Sequence, residues 1–374
     1  MIRVIALTLP FAGLYEITLG ALQARDEVLV AMVLDRIIRP TVQIGGMIAA
    51  GLHFASARSV TLAWAVPHVL VVIVALGLLT RTHVERRRTP DEHVSQSMLW
   101  RYTAPRSIAR TAQTLTQRLD VLILAAVYPL EESGIYGTVS RCMIAGVFVA
   151  TALRQTIQPQ LRRLVVGGDQ DSVRGLFGLS TTWLVLVSWP VYIVMMTHAP
   201  LVLSVFGDGY ERGAPALVIL SVAMLFATSC GLVDVVLLML GKSWLSTVNI
   251  LIALALNIVL NLILAPAYGM VGSAIGWLAA ILATNLLPLL QVQRHGLSPL
   301  GRPLATAILV ASATIALPMA LTRLMFGTGV APFFGVFAIA LVLYGVTLWK
   351  LRSRVALDQL MRDIRRSPKS PAVA

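Results

Sequence analysis

Apolar stretches, each long enough to cross a bilayer, follow one another along almost the whole chain. A hydrocarbon core about 30 Å thick takes roughly 20 apolar residues of helix per crossing. Such stretches lie at about 1–22, 28–51, 58–80, 104–127, 134–158, 176–198, 214–240, 244–264, 271–292, 303–322 and 330–349. Mean hydropathy is +0.82 and charged residues are only 13% of the chain, which excludes a water-soluble domain. In lipid the backbone must satisfy its own hydrogen bonds, so only helices or closed barrels can span. Runs such as Ala307 to Leu321 lack the alternation of a barrel strand. The expected fold class is an all-α integral membrane protein of about 11 transmembrane helices.

Charge then orients the bundle. The formal net charge is +13 and the isoelectric point is near 10.6. In a soluble chain that would point to nucleic acid; here it reads as the positive-inside bias, and no nucleic-acid partner is expected. Arg25, Arg81, Arg86, Arg87, Arg88, Arg101, Arg162, Arg163, Arg174, Lys242, Arg294 and Arg302 fall in alternate connections, which are assigned to the cytoplasm. A basic tail from Lys350 to Lys369 joins them, so the C-terminus is expected inside; it acts as a topology signal or touches anionic lipid. The intervening connections hold Arg58, Arg212 and Arg323 with Glu131, Glu132, Asp208 and Glu211. This alternation puts Met1 outside without an export signal, so an odd number of preceding spans is expected. Cys142 and Cys230 sit mid-span with neither metal nor disulfide spacing and read as small buried residues. No G-x-x-x-x-G-K-[ST] occurs, so no cofactor and no ATP hydrolysis are expected.

The chain partly repeats itself. Ser-Ala-Arg-Ser-Val-Thr-Leu-Ala-Trp at 56–64 and Val-Gly-Ser-Ala-Ile-Gly-Trp at 271–277 each follow two spans joined by a tight polar turn. Those turns are Gln23-Ala24-Arg25-Asp26 and Gly241-Lys242-Ser243. The offset of roughly 215 residues relates 1–80 to 214–292 in the same membrane orientation, as in two-lobed transporters. The expected organisation is therefore two pseudo-repeated lobes. Residues 1–80 form the C-terminal half of lobe one, 81–103 a basic cytoplasmic linker and 104–292 lobe two, followed by two extra spans at 303–349 and the tail at 350–374. Lobe two has three further spans at 104–198 that lobe one lacks, so lobe one is incomplete by three helices, an odd number that agrees with the charge pattern.

From Arg101 to about Arg294 the chain resembles the polysaccharide-export flippases, the Wzx-type branch of the multidrug/oligosaccharidyl-lipid/polysaccharide exporter superfamily. The residues that carry the resemblance begin with Arg118-Leu119-Asp120-Val121-Leu122-Ile123-Leu124 and Ser133-Gly134-Ile135-Tyr136-Gly137. Gln158-Pro159 follows, closing a span, and then Phe206-Gly207-Asp208-Gly209-Tyr210 in an outer loop. Asn257-Ile258-Val259-Leu260-Asn261 and Pro266-Ala267-Tyr268-Gly269-Met270-Val271-Gly272-Ser273-Ala274 complete the set. Against the family plan of two six-helix lobes, often with two extra helices, the chain looks N-terminally truncated. The resemblance implies a transporter, not an enzyme, that flips polyprenyl-diphosphate-linked oligosaccharide across the inner (cytoplasmic) membrane for cell-surface polysaccharide or lipopolysaccharide. Its implied partners are that substrate, membrane lipid, a coupling cation, and a polysaccharide polymerase or glycosyltransferase neighbour.

Within the motifs, Gly207 and Gly209 permit positive φ at a rim turn. Asn257 and Asn261 share a helix face as helix-to-helix glue. Gly269, Gly272 and Gly276 form a small-residue strip for close packing. Charges at membrane depth are the candidate substrate contacts. Asp35, Arg36 and Arg39 cluster, with Asp35 and Arg39 spaced for an i, i+4 pair. Arg110, Gln113, Gln117 and Asp120 recur as a polar stripe along one helix face, flanked by Arg118. Arg141, Arg154, Asp234 and Glu16 lie in other spans. Arginine's planar fork suits a phosphate bridge, so Arg39, Arg118 and Arg141 are candidates to neutralise it. The alternative is buried ion pairs within a lobe or arginines reaching to the interface, the favoured reading for Arg110 and Arg154. No metal site is expected. Rival functions are a cation-coupled drug exporter, a membrane polysaccharide polymerase or ligase, and an inactive truncated remnant.

Overall fold

The computed structural model describes residues 2–24, 27–54, 56–81, 100, 107–108, 111–116 and 118–352. Every regular element among the described residues is helical. The chain divides into two compact units, Met1–His93 and Val94–Ala374. Most of the expected linker at 81–103 and of the tail lies outside the described residues.

In the first unit, α1 spans Ile2–Ala24, and α2 (Val28–Val33) runs through a π-helical turn at Leu34–Ile38 into α3 (Arg39–Phe54). α4 spans Ala57–Arg81 and packs against both α1 and α3. Tyr15, Leu19, Leu22, Leu34, Val71, Val72 and Ala75 make its buried core. α3 and α4 are close at Gly46, where a Cβ would make ordinary contact with the Ala63 Cβ at 3.5 Å. The π turn inserts one residue per turn and re-aims the side chains that follow. It begins one residue before Asp35, and α3 begins at Arg39.

In the second unit, helical turns at 111–116 lead to α5 (Leu119–Val127), α6 (Leu130–Cys142), α7 (Ile144–Val166) and α8 (Gln170–Thr197). The short α9 (Ala199–Ser204) and a 3-10 turn at Tyr210–Gly213 precede α10 (Ala214–Cys230) and α11 (Val233–Met239). α12 covers Ser243–Gln293; α13 (Arg302–Ala311) passes through a π turn at Ser312–Ala316 into α14 (Leu317–Phe326), and α15 spans Val330–Lys350. Six described helices are long and apolar enough to cross a membrane, and one of them, Ser243–Gln293, contains two expected spans. That pair folds back at Gly269, where φ 55° and ψ −130° break the helix. A Cβ on Gly272 would lie 2.2 Å from the Leu264 carbonyl oxygen, and one on Gly276 would lie 2.5 Å from Asn261 Nδ2. The expected glycine strip is therefore a closely packed seam. Asn257 and Asn261 are fully buried. Their glue is steric rather than hydrogen-bonded across helices: Asn261 Nδ2 donates to the Asn257 carbonyl of its own helix at 2.9 Å.

Other expected spans are interrupted. The backbone leaves helical geometry at Arg118 (φ −129°). α6 and α7 are separated at Met143, whose carbonyl accepts from the Tyr192 hydroxyl at 3.2 Å. α10 ends at Gly231 (φ 72°, ψ −146°), where a Cβ would sit 2.0 Å from Thr181 Oγ1. Pro159 does not close a span as expected, because α7 continues through it to Val166. Pro200 behaves as expected, starting α9 after α8 has ended. Gly207 and Gly209 have φ of 119° and 86° in the rim turn.

Contacts between connections follow the charge alternation. Arg174 Nε and Nη2 donate to the Gly296 carbonyl at 3.1 and 2.8 Å, joining two connections assigned inside. Arg212 pairs with Glu131 and with Glu132, and Arg323 donates to the Thr197 carbonyl, all in connections assigned outside. The extra pair packs on α8, where the Tyr344 hydroxyl donates to the Leu186 carbonyl at 2.7 Å.

Candidate functional sites

Two polar clusters lie among the apolar helices, one in each unit. In the first unit Asp35 is the centre. Its Oδ1 accepts from the Tyr15 hydroxyl at 2.6 Å and pairs with Arg39 Nη2 at 3.0 Å. Arg36 Nε lies 3.5 Å from Asp35 Oδ2, but its side chain is 66% exposed, so Arg39 is the inward partner. The Arg39 guanidinium also stands 5.0 Å from the Tyr15 ring centroid, a cation–π distance. Gln43, one turn beyond Arg39, donates to the Trp64 carbonyl at 3.0 Å and sits 3.5 Å from Nδ1 of the buried His68. His68 packs edge-on to Tyr15. Arg39 Nε is buried without a partner among the described residues.

In the second unit the charged centre is a pair that joins two helices. Arg154 on α7 donates from Nη1 and Nη2 to the two carboxylate oxygens of Asp234 on α11, at 2.6 and 3.2 Å. The Gly231 break lies three residues before Asp234 and ends α10, so that α11 starts afresh at Val233. This fork lines a cavity of about 200 Å3 together with Gln113, Asn249, Trp277 and Asn285. Asn249 and Gln291, on the two arms of α12, exchange hydrogen bonds at 2.8 and 3.0 Å.

The expected stripe at 110–120 does not act as one face. Gln113 reaches the cavity, whereas Asp120, 2% exposed, accepts from the Tyr136 hydroxyl at 2.8 Å. The non-helical Arg118 between them turns the chain, so a spacing argument that assumed a continuous helix fails there. Arg110 and Gln117 lie outside the described residues. Arg118 and Arg141 are exposed and have no ion-pair partner among the described residues. Asp35 and Arg39 come together as expected, and Asp234 lines a cavity. Asp120 belongs to neither cluster. Arg154 forms the interhelical pair, the ion-pair alternative raised for it. Sequence reasoning did not single out Tyr15, Gln43, His68, Asn249, Trp277 or Asn285. A usable signal existed for Arg154 and Asp234: each is a charge in an otherwise apolar stretch, of opposite sign, near the end assigned to the cytoplasm.

Apolar helices that turn carboxylates, guanidinium groups and amides toward one another inside the bundle define a multi-pass helical membrane protein with internal polar sites. The chain belongs to the polysaccharide biosynthesis protein family, whose model matches residues 1–215. It is 26% identical over 199 residues to an uncharacterized membrane protein of Methanocaldococcus jannaschii, a match covering 52% of this chain and 46% of that one. The chain thus spans about half the length of that curated relative. Its fold is similar to that of the lipid II flippase MurJ in an inward closed conformation. The TM-score is 0.73 at 12% identity, over 94% of this chain and 73% of that one.

Proposed function

We propose that the protein moves a polyprenyl-diphosphate-linked oligosaccharide from the inner to the outer leaflet of the cytoplasmic membrane, as a step in cell-surface polysaccharide synthesis. The observation that carries this reading is the Tyr15–Asp35–Arg39 cluster: a guanidinium held within an otherwise apolar stretch by a carboxylate and an aromatic face. Such a group is costly in hydrocarbon unless it serves a polar pathway. The family and the fold shared with a lipid II flippase support the same reading. Arg39, with a buried unpartnered Nε, is the candidate to take the diphosphate; Arg118 and Arg141, both exposed, are further candidate cations. Alternating access needs no covalent chemistry, so the protein acts as a transporter rather than an enzyme. The C-terminus lies in the cytoplasm, following the basic tail.

The test is translocation of a fluorescent polyprenyl-diphosphate sugar in proteoliposomes, read by accessibility to an external quencher. The full chain is expected to flip it, and Arg39→Ala to lose at least about tenfold in rate with unchanged reconstitution. Equal rates for Arg39→Ala and the parent would overturn the assignment of Arg39; no translocation by the parent would overturn the function.

A further inference from the structure

We infer that the α7–α11–α12 cavity is a subsite for one neutral pyranose ring of the cargo, rather than for its diphosphate. The inference rests on the proposed flippase reading and deepens it. Charge decides the ligand class first. The described wall holds one cation and one anion, Arg154 and Asp234, and they neutralise each other through two hydrogen bonds of 2.6 and 3.2 Å. A phosphate would have to take the fork from Asp234 and leave a carboxylate unpaired beside it. Breaking a partly buried pair in this way is unfavourable. A neutral ligand leaves the pair intact and can still accept from the guanidinium edge and donate to the carboxylate.

The remaining wall matches a sugar ring. Hydroxyl groups of a pyranose donate and accept at once, and so do the carboxamides of Gln113, Asn249 and Asn285. Gln113 has no hydrogen-bond partner among the described residues and is free to turn toward a ligand. Asn249 is fixed by its reciprocal pair with Gln291, which leaves one N–H and one lone pair on its amide for a ligand. Asn285 commits its Nδ2 to the Ile281 carbonyl at 2.8 Å, leaving its oxygen as an acceptor. Trp277 adds an indole, whose flat apolar face suits the C–H face of a ring. Size sets the limit. The cavity of about 200 Å3 is smaller than the roughly 300–1,000 Å3 of drug-sized sites, so it takes one ring, not a chain. Position agrees as well: Asn249 follows Lys242, Asn285 precedes Arg294, and Arg154 precedes Arg162, so the cavity lies in the helix halves nearest the connections assigned to the cytoplasm.

The experiment uses the full chain in lipid nanodiscs with three probes: methyl glucoside, N-acetylglucosamine and inorganic pyrophosphate. Binding is read by saturation-transfer NMR for the sugars and by competition for pyrophosphate. At least one sugar is expected to give a saturable signal that pyrophosphate does not displace. Gln113→Leu and Asn249→Ala are each expected to weaken it by about tenfold. Gln113 makes no hydrogen bond among the described residues, so it serves if Asn249→Ala disturbs the α12 hairpin. Absence of sugar binding in the parent, displacement by pyrophosphate, or unchanged affinity in Gln113→Leu would each overturn the inference. The proteoliposome assay separates the two readings: flipping that survives loss of sugar binding sinks the subsite alone, whereas sugar binding without any flipping sinks the transport reading alone.

Discussion

The two units each hold a carboxylate–guanidinium pair, and the pairs are built in opposite ways. Asp35 and Arg39 lie one turn apart across a π turn, and the pair is closed over by Tyr15. Arg154 and Asp234 lie 80 residues apart on two helices and face an open cavity. The first pair costs little chain entropy to form, because its members are already neighbours on one helix. The second forms only after α7, α11 and the α12 hairpin have packed, so it reports on the assembled bundle. The first is suited to hold a single group ready; the second is suited to shape a chamber.

The sharpest way to break this contrast is Gly231→Ala. The left-handed backbone and the overlap with Thr181 together predict a loss of about 3 kcal/mol or more. The measurement is the unfolding midpoint in detergent, and an unchanged midpoint would show that the break does not set Asp234. Arg154→Ala comes next. Its partner would be left unpaired, and with side chains 40% and 32% exposed the expected loss is about 2 kcal/mol. The exchanged pair, Arg154→Asp with Asp234→Arg, should recover most of it; no recovery would mean that packing, not charge, holds α7 to α11. Asn249→Leu should cost about 1–2 kcal/mol by stranding Gln291, and the double replacement with Gln291→Leu should cost less than either single change. A purely additive cycle would remove the reciprocal amide pair from the account. Tyr15→Phe should be mildest, about 1 kcal/mol, because Asp35 keeps Arg39. If it costs as much as Arg154→Ala, the first cluster depends on its tyrosine lid as heavily as the second on its fork.

What the sequence disclosed follows the same division. Hydropathy located the six described helices long and apolar enough to cross a membrane, and glycine placement located the hairpin seam and the rim turn, because each depends on residues close in the chain. The i, i+4 rule found Asp35 and Arg39, though not the π turn between them, which has no signature in residue type. The stripe from Gln113 to Asp120 was misread because a periodicity argument assumes an unbroken helix, and Arg118 breaks it. Pro159 was misread because proline weighs against a helix locally, and the backbone of α7 stays helical through it. The cavity was not visible because its walls come from segments more than a hundred residues apart, from Gln113 to Asn285. Only tertiary packing brings such residues together.

The fold-back at Gly269 bears on how the protein is made. Asn257 and Asn261 would burden the entry of a lone helix into lipid, since polar side chains there raise the cost of insertion. In the hairpin, Gly276 lets the second arm lie directly over Asn261, and the turn needs no extended polar loop to cross the bilayer. The two arms can therefore leave the insertion machinery together, each already shielding the other's amides. Ser243–Gln293 is thus a hairpin of two packed arms, and it brings Asn249, Trp277 and Asn285 to the chamber wall on one continuous stretch of chain.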